Sequence, residues 1–175
     1  MEVRLKDHLC FRLYVASRLI IQAYGEHLQP LGITYPKYLV LLALLEEDRQ
    51  TVGSLGALLS LDSGTLSPLL KSMAARGYVK RERLSEDERT VVNTITPAGR
   101  SLCTHGKKIA VALFKQTGMT EAQLSSLRGD MDDYVGRCIR ILGRKRLAPT
   151  HQPKKKESPW KRKSRIEPSS PPRLQ

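Results

Sequence analysis

The chain has 175 residues, with 30 basic and 17 acidic side chains, a formal net charge of +13 and 40% hydrophobic content. That length suffices for one domain with a real core, and the sequence shows neither an apolar run of membrane-spanning length nor a secretory signal. Three cysteines do not make a disulfide framework, so a reducing, cytoplasmic setting is expected.

The positive charge is unevenly spread. From Arg144 onward the chain holds eleven basic and two acidic residues, whereas residues 1–143 hold nineteen and fifteen. The body is therefore mildly basic and the excess sits in an appendage.

Residues 7–28 are predicted as a long helix with Asp7 as its N-cap. Leu9, Leu13, Ala16, Ile20 and Ala23 follow one apolar stripe, and Cys10, Tyr14, Ile21, Tyr24 and Leu28 a neighbouring one. Two stripes describe a helix covered on more than one side, which in so short a chain implies a second subunit. Pro30 and Gly32 end it. Thr34 is expected to cap a second, nearly all-apolar and hence central helix, with Pro36 at its start, where proline is tolerated. Thr51 and Val52 are expected to add a short strand. Residues 54–59 read as a short helix that its glycines weaken.

Residues 61–96 organise the rest. Asp62 or Ser63 can cap a helix whose apolar positions Leu66, Leu69, Leu70, Met73 and Ala74 form one buried stripe. Its other face carries Ser63, Thr65, Ser67 and Lys71. Gly77 sits where a helix ends in the left-handed region. Two strands follow, at 78–84 and 90–95, joined by the polar tip Ser85-Glu86-Asp87-Glu88-Arg89. A helix with small polar side chains can approach base edges in a major groove, and a hairpin bearing Arg81, Arg83 and Arg89 can reach phosphates beside it. The arrangement is that of a winged helix-turn-helix. A helix is then predicted from Thr96-Pro97 to about Lys115, and a last one, opened by a Thr120/Gln123 capping box, to about Arg144. From Ala148 the composition turns to proline and runs of lysine and arginine, which cannot build a core and are expected to be disordered. The tail reads either as solvated or as a non-specific DNA arm.

Cys10 falls in the first turn of the first helix, where free amides and the positive helix end favour a thiolate. Tyr14, Tyr24 and Tyr35 supply hydroxyls that can donate to a thiolate or to an oxidised sulfur. Tyr24 lies roughly 21 Å from Cys10 along a straight helix. It can therefore meet that sulfur only from a second subunit with the helices antiparallel. On composition alone Cys10, flanked by Leu9 and Phe11, reads equally as a buried small hydrophobe, as do Cys103 and Cys138. No metal-ligand spacing, catalytic carboxylate pair, phosphate-binding glycine loop or triad is evident.

LDSGTLSPLLKSMAARGYVKRERLSEDERTVVNTITPAGR resembles the core of a MarR-type regulator, a dimeric winged helix-turn-helix repressor. LCFRLYVASR, Ala23-Tyr24 and LGITYPKYLVLLALLE are similar to the organic hydroperoxide resistance regulators of that family. The resemblance spans about residues 5–142. It implies that Cys10 is the peroxide-reactive cysteine and that Tyr14, Tyr24 and Tyr35 surround it, the last two from across the dimer. It implies that Ser63, Thr65, Ser67 and Lys71 read DNA. Arg89 would enter the minor groove and Asp87 would hold the wing. The resolving cysteine of some members is absent, since Lys115 follows Phe114. One-cysteine behaviour is expected: a sulfenic acid at Cys10, then a mixed disulfide with a low-molecular-weight thiol.

The expected fold is mainly α (α+β). Residues 1–147 form one winged helix-turn-helix domain, its dimerisation unit drawn from the N- and C-terminal helices, and 148–175 form a basic tail. The expected function is a homodimeric repressor of a pseudo-palindromic operator in double-stranded DNA, released by organic hydroperoxide, with no cofactor, metal or membrane and no enzymatic role. The alternatives are a MarR-type regulator gated by a small aromatic ligand, a thiol peroxidase, and an architectural protein led by the tail.

Overall fold

A computed structural model of the chain describes residues 4–84 and 87–142, with backbone alone at 84, 87–89 and 142. A 3-10 turn, Leu5–Asp7, leads into α1 (Leu9–Leu28). The expected N-cap moves from Asp7 to His8, because the tighter turn already engages the chain there: His8 N donates to Leu5 O. A second 3-10 turn, Gln29–Leu31, ends at Gly32, whose φ of 70° suits glycine. Helix α2 (Tyr35–Glu46) follows. Thr34 holds its N-cap position, without the side-chain hydrogen bond the sequence led one to expect.

Strand β1 is Gln50–Thr51 and α3 is Val52–Leu59. Val52 is thus helical, not extended. Thr51 Oγ1 accepts from Ser54 N at 3.1 Å and starts the helix there. Helix α4 (Ser63–Ala75) leads through Gly77 (φ 72°) to β2 (Val79–Leu84) and β3 (Asp87–Ile95). Asp87, Glu88 and Arg89, expected in the hairpin tip, belong to β3; Ser85 and Glu86 lie outside the described residues. The antiparallel sheet has the order β1-β3-β2. Helices α5 (Pro97–Gln116) and α6 (Glu121–Leu142) complete the order. The capping box at α6 forms, with Thr120 N donating to Gln123 Oε1 at 2.8 Å and Gln123 N to Thr120 Oγ1 at 3.2 Å. The basic tail lies outside the described residues.

The core gathers about α2. Leu41 and Leu44 are fully buried with Leu55 of α3 and Leu66, Leu70 and Met73 of α4. This packing makes α3 and α4 one unit with α2. Two polar residues are buried with it. Gln50 donates to the Ala43 and Glu47 carbonyls, and Asn93 donates to the Gln50 carbonyl, fastening β1 between α2 and β3. Asp48 accepts from Ile95 N and pairs with Arg100, tying the end of β3 to α5. In contrast, none of the described residues of α6 belongs to the core.

Gly106 of α5 is buried against the Tyr38 ring, and a Cβ there would collide with that ring. Gly106→Ala should therefore destabilise by roughly 1–2 kcal/mol in urea unfolding, since an overpacking cost of about 1–3 kcal/mol exceeds the gain of about 1 kcal/mol in helix propensity.

Candidate functional site

The reading helix is built from its caps inward. Asp62 Oδ1 accepts from Thr65 N at 2.9 Å and Oδ2 from Thr65 Oγ1 at 2.7 Å. The Thr65 hydroxyl bond, then the Thr65 amide, hold this carboxyl below its usual range. Thr65 has thereby spent its hydroxyl proton and presents a methyl group and oxygen lone pairs. At the other end Tyr78 N donates to Met73 O and Gly77 N to Ala74 O, which is the paired closure that a left-handed glycine permits. Leu66, Leu70 and Met73 face the core, so the face with Ser63, Thr65 and Lys71 is exposed and Ser67 is half-buried.

In the hairpin, Arg83 is exposed and Lys80 pairs with Glu82 at 2.7 Å. Arg81 is half-buried, its Nε enclosed at the position opposite Asn93. Its guanidinium is thus less free than the sequence implied. The side chains of Asp87 and Arg89 lie outside the described residues.

Cys10 is exposed in the first turn of α1, so the reading of this thiol as a buried hydrophobe does not hold. Tyr14, one turn on, is also exposed and holds Arg18, which lies 5.7 Å above its ring and donates to its hydroxyl at 3.3 Å. Tyr24 and Tyr35 do come together, with ring centroids 4.8 Å apart. Tyr38 of α2, which was not among the expected site residues, is the third ring, 5.8 Å from Tyr24 and 6.4 Å from Tyr35. Burial raises the pKa of all three phenols, with Tyr35 adding to Tyr24; Tyr38 is pushed up to about 12 by burial and by Tyr24, Cys103 and Tyr35. Cys10 stands at the far end of the unbroken α1 from this cluster.

The tyrosine cluster is wired to the reading helix. Lys37, between Tyr35 and Tyr38 in sequence, donates to Ser72 Oγ of α4 at 2.9 Å. The Tyr78 hydroxyl donates to the Leu31 carbonyl at 3.2 Å, and the Arg76 guanidinium covers Gly32. Among the described residues no group of three or more His, Cys, Asp or Glu could hold a metal ion. No single described helix is long and apolar enough to cross a membrane.

Comparison with known proteins agrees with this geometry. Residues 22–105 match the family described as "Transcriptional regulator SarA/Rot". The organic hydroperoxide resistance transcriptional regulator of Bacillus subtilis is 42% identical over 128 residues, covering 71% of this chain and 87% of the relative. The HTH-type transcriptional regulator SarZ of Staphylococcus epidermidis is 34% identical over 131 residues, covering 75% and 88%. The structure of reduced AbfR bound to DNA superposes with a TM-score of 0.66 at 34% identity, over 80% of this chain and 96% of that one. The chain belongs to the MarR family of transcriptional regulators. Its winged helix-turn-helix is therefore a DNA-reading unit, and in this MarR-family member Lys37 joins the helix that carries Tyr35 and Tyr38 to α4.

The tyrosines give a pH signature. A phenol whose pKa is raised on folding keeps its proton in the native state after the unfolded chain has lost it, so stability is intact below pH 10 and falls as pH climbs toward 12, the range spanned by Tyr38. Alkaline unfolding followed by circular dichroism should show this fall, and Tyr38→Phe should make it shallower.

Proposed function

We propose that this regulator is a homodimeric repressor that senses organic hydroperoxides through Cys10 and then releases a pseudo-palindromic operator. The observation that carries the reading is the separation of an exposed first-turn thiol from the Tyr24, Tyr35 and Tyr38 cluster by the length of α1. With two subunits and their first helices antiparallel, each Cys10 comes to the partner's end of α1, where Tyr24 and Tyr35 lie. Apolar exposure supports that pairing: Leu19, Ile20 and Ile21 of α1 and Leu127, Val135 and Ile141 of α6 are between 42% and 82% exposed in the single chain. A cytoplasmic setting fits such a thiol, which must be kept reduced to respond.

The thiolate attacks the distal peroxide oxygen, the O–O bond breaks, the alcohol departs and Cys10 becomes a sulfenic acid. An oxidised, hydroxyl-bearing sulfur makes different hydrogen bonds with phenols than a thiolate does. Displaced tyrosines move the start of α2, and Lys37–Ser72 passes the displacement to α4. Two reading helices about one helical turn apart on the duplex then lose their spacing. Ser63, Thr65 and Ser67 are the base-reading candidates, with Lys71, Arg81 and Arg89 for phosphates or the adjacent groove.

Operator affinity measured before and after one equivalent of cumene hydroperoxide tests this. Wild type should weaken roughly 10- to 100-fold, within the usual span of allosteric coupling, and Cys10→Ser should not respond. An equal response in Cys10→Ser overturns the reading. Separately, Lys71→Ala should weaken binding across sequences and reduce the slope of log affinity against log salt by about 1.

A further inference from the structure

Gln50, Asn93 and Arg81 stand in a row across the sheet, one each on β1, β3 and β2. Residues directly opposite in antiparallel strands share a face. The next pair on that face, Val79 and Ile95, is buried in the core. The pair on the other side includes Arg83, which is exposed. Arg81 thus stands where the core face of the hairpin opens to solvent, on a strand that packs against the reading helix α4.

The row is polar and directional. Gln50 Nε2 donates to the Ala43 and Glu47 carbonyls at 3.1 and 2.9 Å, closing the end of α2. Asn93, fully buried, donates through Nδ2 to the Gln50 carbonyl at 3.0 Å. A carbonyl only accepts, so this bond fixes which end of the Asn93 amide is oxygen. Asn93 Oδ1 is enclosed and has no partner, and the same holds for Arg81 Nε. One is an acceptor, the other a donor, and the strand register sets their residues opposite each other. A buried polar group left without its bond is costly, and a single bond between these two atoms removes both costs.

We propose that Asn93 is a positioning residue for DNA binding: Arg81 Nε donates to Asn93 Oδ1, and this bond aims the guanidinium at a DNA phosphate. The guanidinium is a planar fork, so holding Nε leaves the edge formed by the two Nη groups free for bidentate pairing. A phosphate on the ridge between the groove read by α4 and the groove reached by the hairpin meets this position. The proposal rests on the reading of Arg81 as a DNA contact and is independent of Cys10. It also gives the wing its own link to α2. That helix holds α4 near its start through Lys37, and at its end it holds Arg81 through Gln50 and Asn93.

The test uses the reduced full-length chain and a duplex that wild type selects from a random pool. Affinity is measured as a function of salt, and folding under the same conditions is checked by circular dichroism. Arg81→Ala should weaken binding about tenfold and reduce the slope of log affinity against log salt by about 1. Asn93→Leu, similar in shape, should do the same, although Asn93 is uncharged and buried. The double variant should bind no more weakly than Arg81→Ala, because the two side chains act as one contact. In wild type bound to the duplex, the Arg81 Nε–H should exchange slowly with solvent in nitrogen-edited proton spectra. Should Asn93→Leu fail to fold, that exchange rate decides alone. A folded Asn93→Leu with an unchanged salt slope, a double variant whose loss is the product of the single losses, or a fast-exchanging Nε–H overturns the proposal. An Arg81→Ala chain that binds like wild type overturns the reading of Arg81 as a DNA contact as well.

Discussion

Helix α1 runs without a break from Leu9 to Leu28, and its rise of about 1.5 Å per residue keeps Cys10 roughly 21 Å from Tyr24. The two ends of this one element therefore belong to different parts of the molecule. Its start presents the exposed Cys10 thiol. Its end carries Tyr24 into the aromatic cluster against α2. A sulfur at one end cannot reach the tyrosines at the other within one subunit. The proposed dimer solves this by laying two copies of the same helix in opposite directions, so that each end finds its complement on the partner.

The tyrosine end matters because of what α2 carries. Tyr35 and Tyr38 stand in its first turn, and Lys37 in the same turn holds Ser72 of the reading helix. Tyr78 and Arg76, just beyond that helix, hold Leu31 and Gly32, just before α2. None of these contacts is strong alone, since one hydrogen bond contributes about 1 kcal/mol net. Moving an equilibrium from 1:99 to 99:1 needs about 5.5 kcal/mol. The contacts must therefore shift together. A close-packed core shared by α2, α3 and α4 makes that natural, because it passes between discrete packings more readily than it deforms.

Much of this was legible in the chain. Asp62, the spacing of Leu66, Leu70 and Met73, and Gly77 define the reading helix by local rules of capping and period, and each holds in three dimensions. The capping box at Thr120 is equally local. Misreadings arose where a neighbouring element competes for the same backbone groups: the 3-10 turn before His8 takes the cap from Asp7, and Thr51 takes Val52 from the sheet. Arg89 has a place in a strand but no described side chain, and Tyr38 needed the orientation of α2 to join Tyr24 and Tyr35.

The same fold explains why α6 is suited to be moved. None of its described residues is part of the buried core, while Leu127, Val135 and Ile141 stay exposed within the single chain. A displacement of α6 would therefore open no cavity in the core shared by α2, α3 and α4, where loss of packing costs about 24 cal/mol per Å³ of void. The apolar surface of α6 has to be satisfied elsewhere, and the proposed partner subunit is where the exposed faces of α1 and α6 would find cover. In the proposed dimer, the packing of α6 depends on the partner rather than on the core.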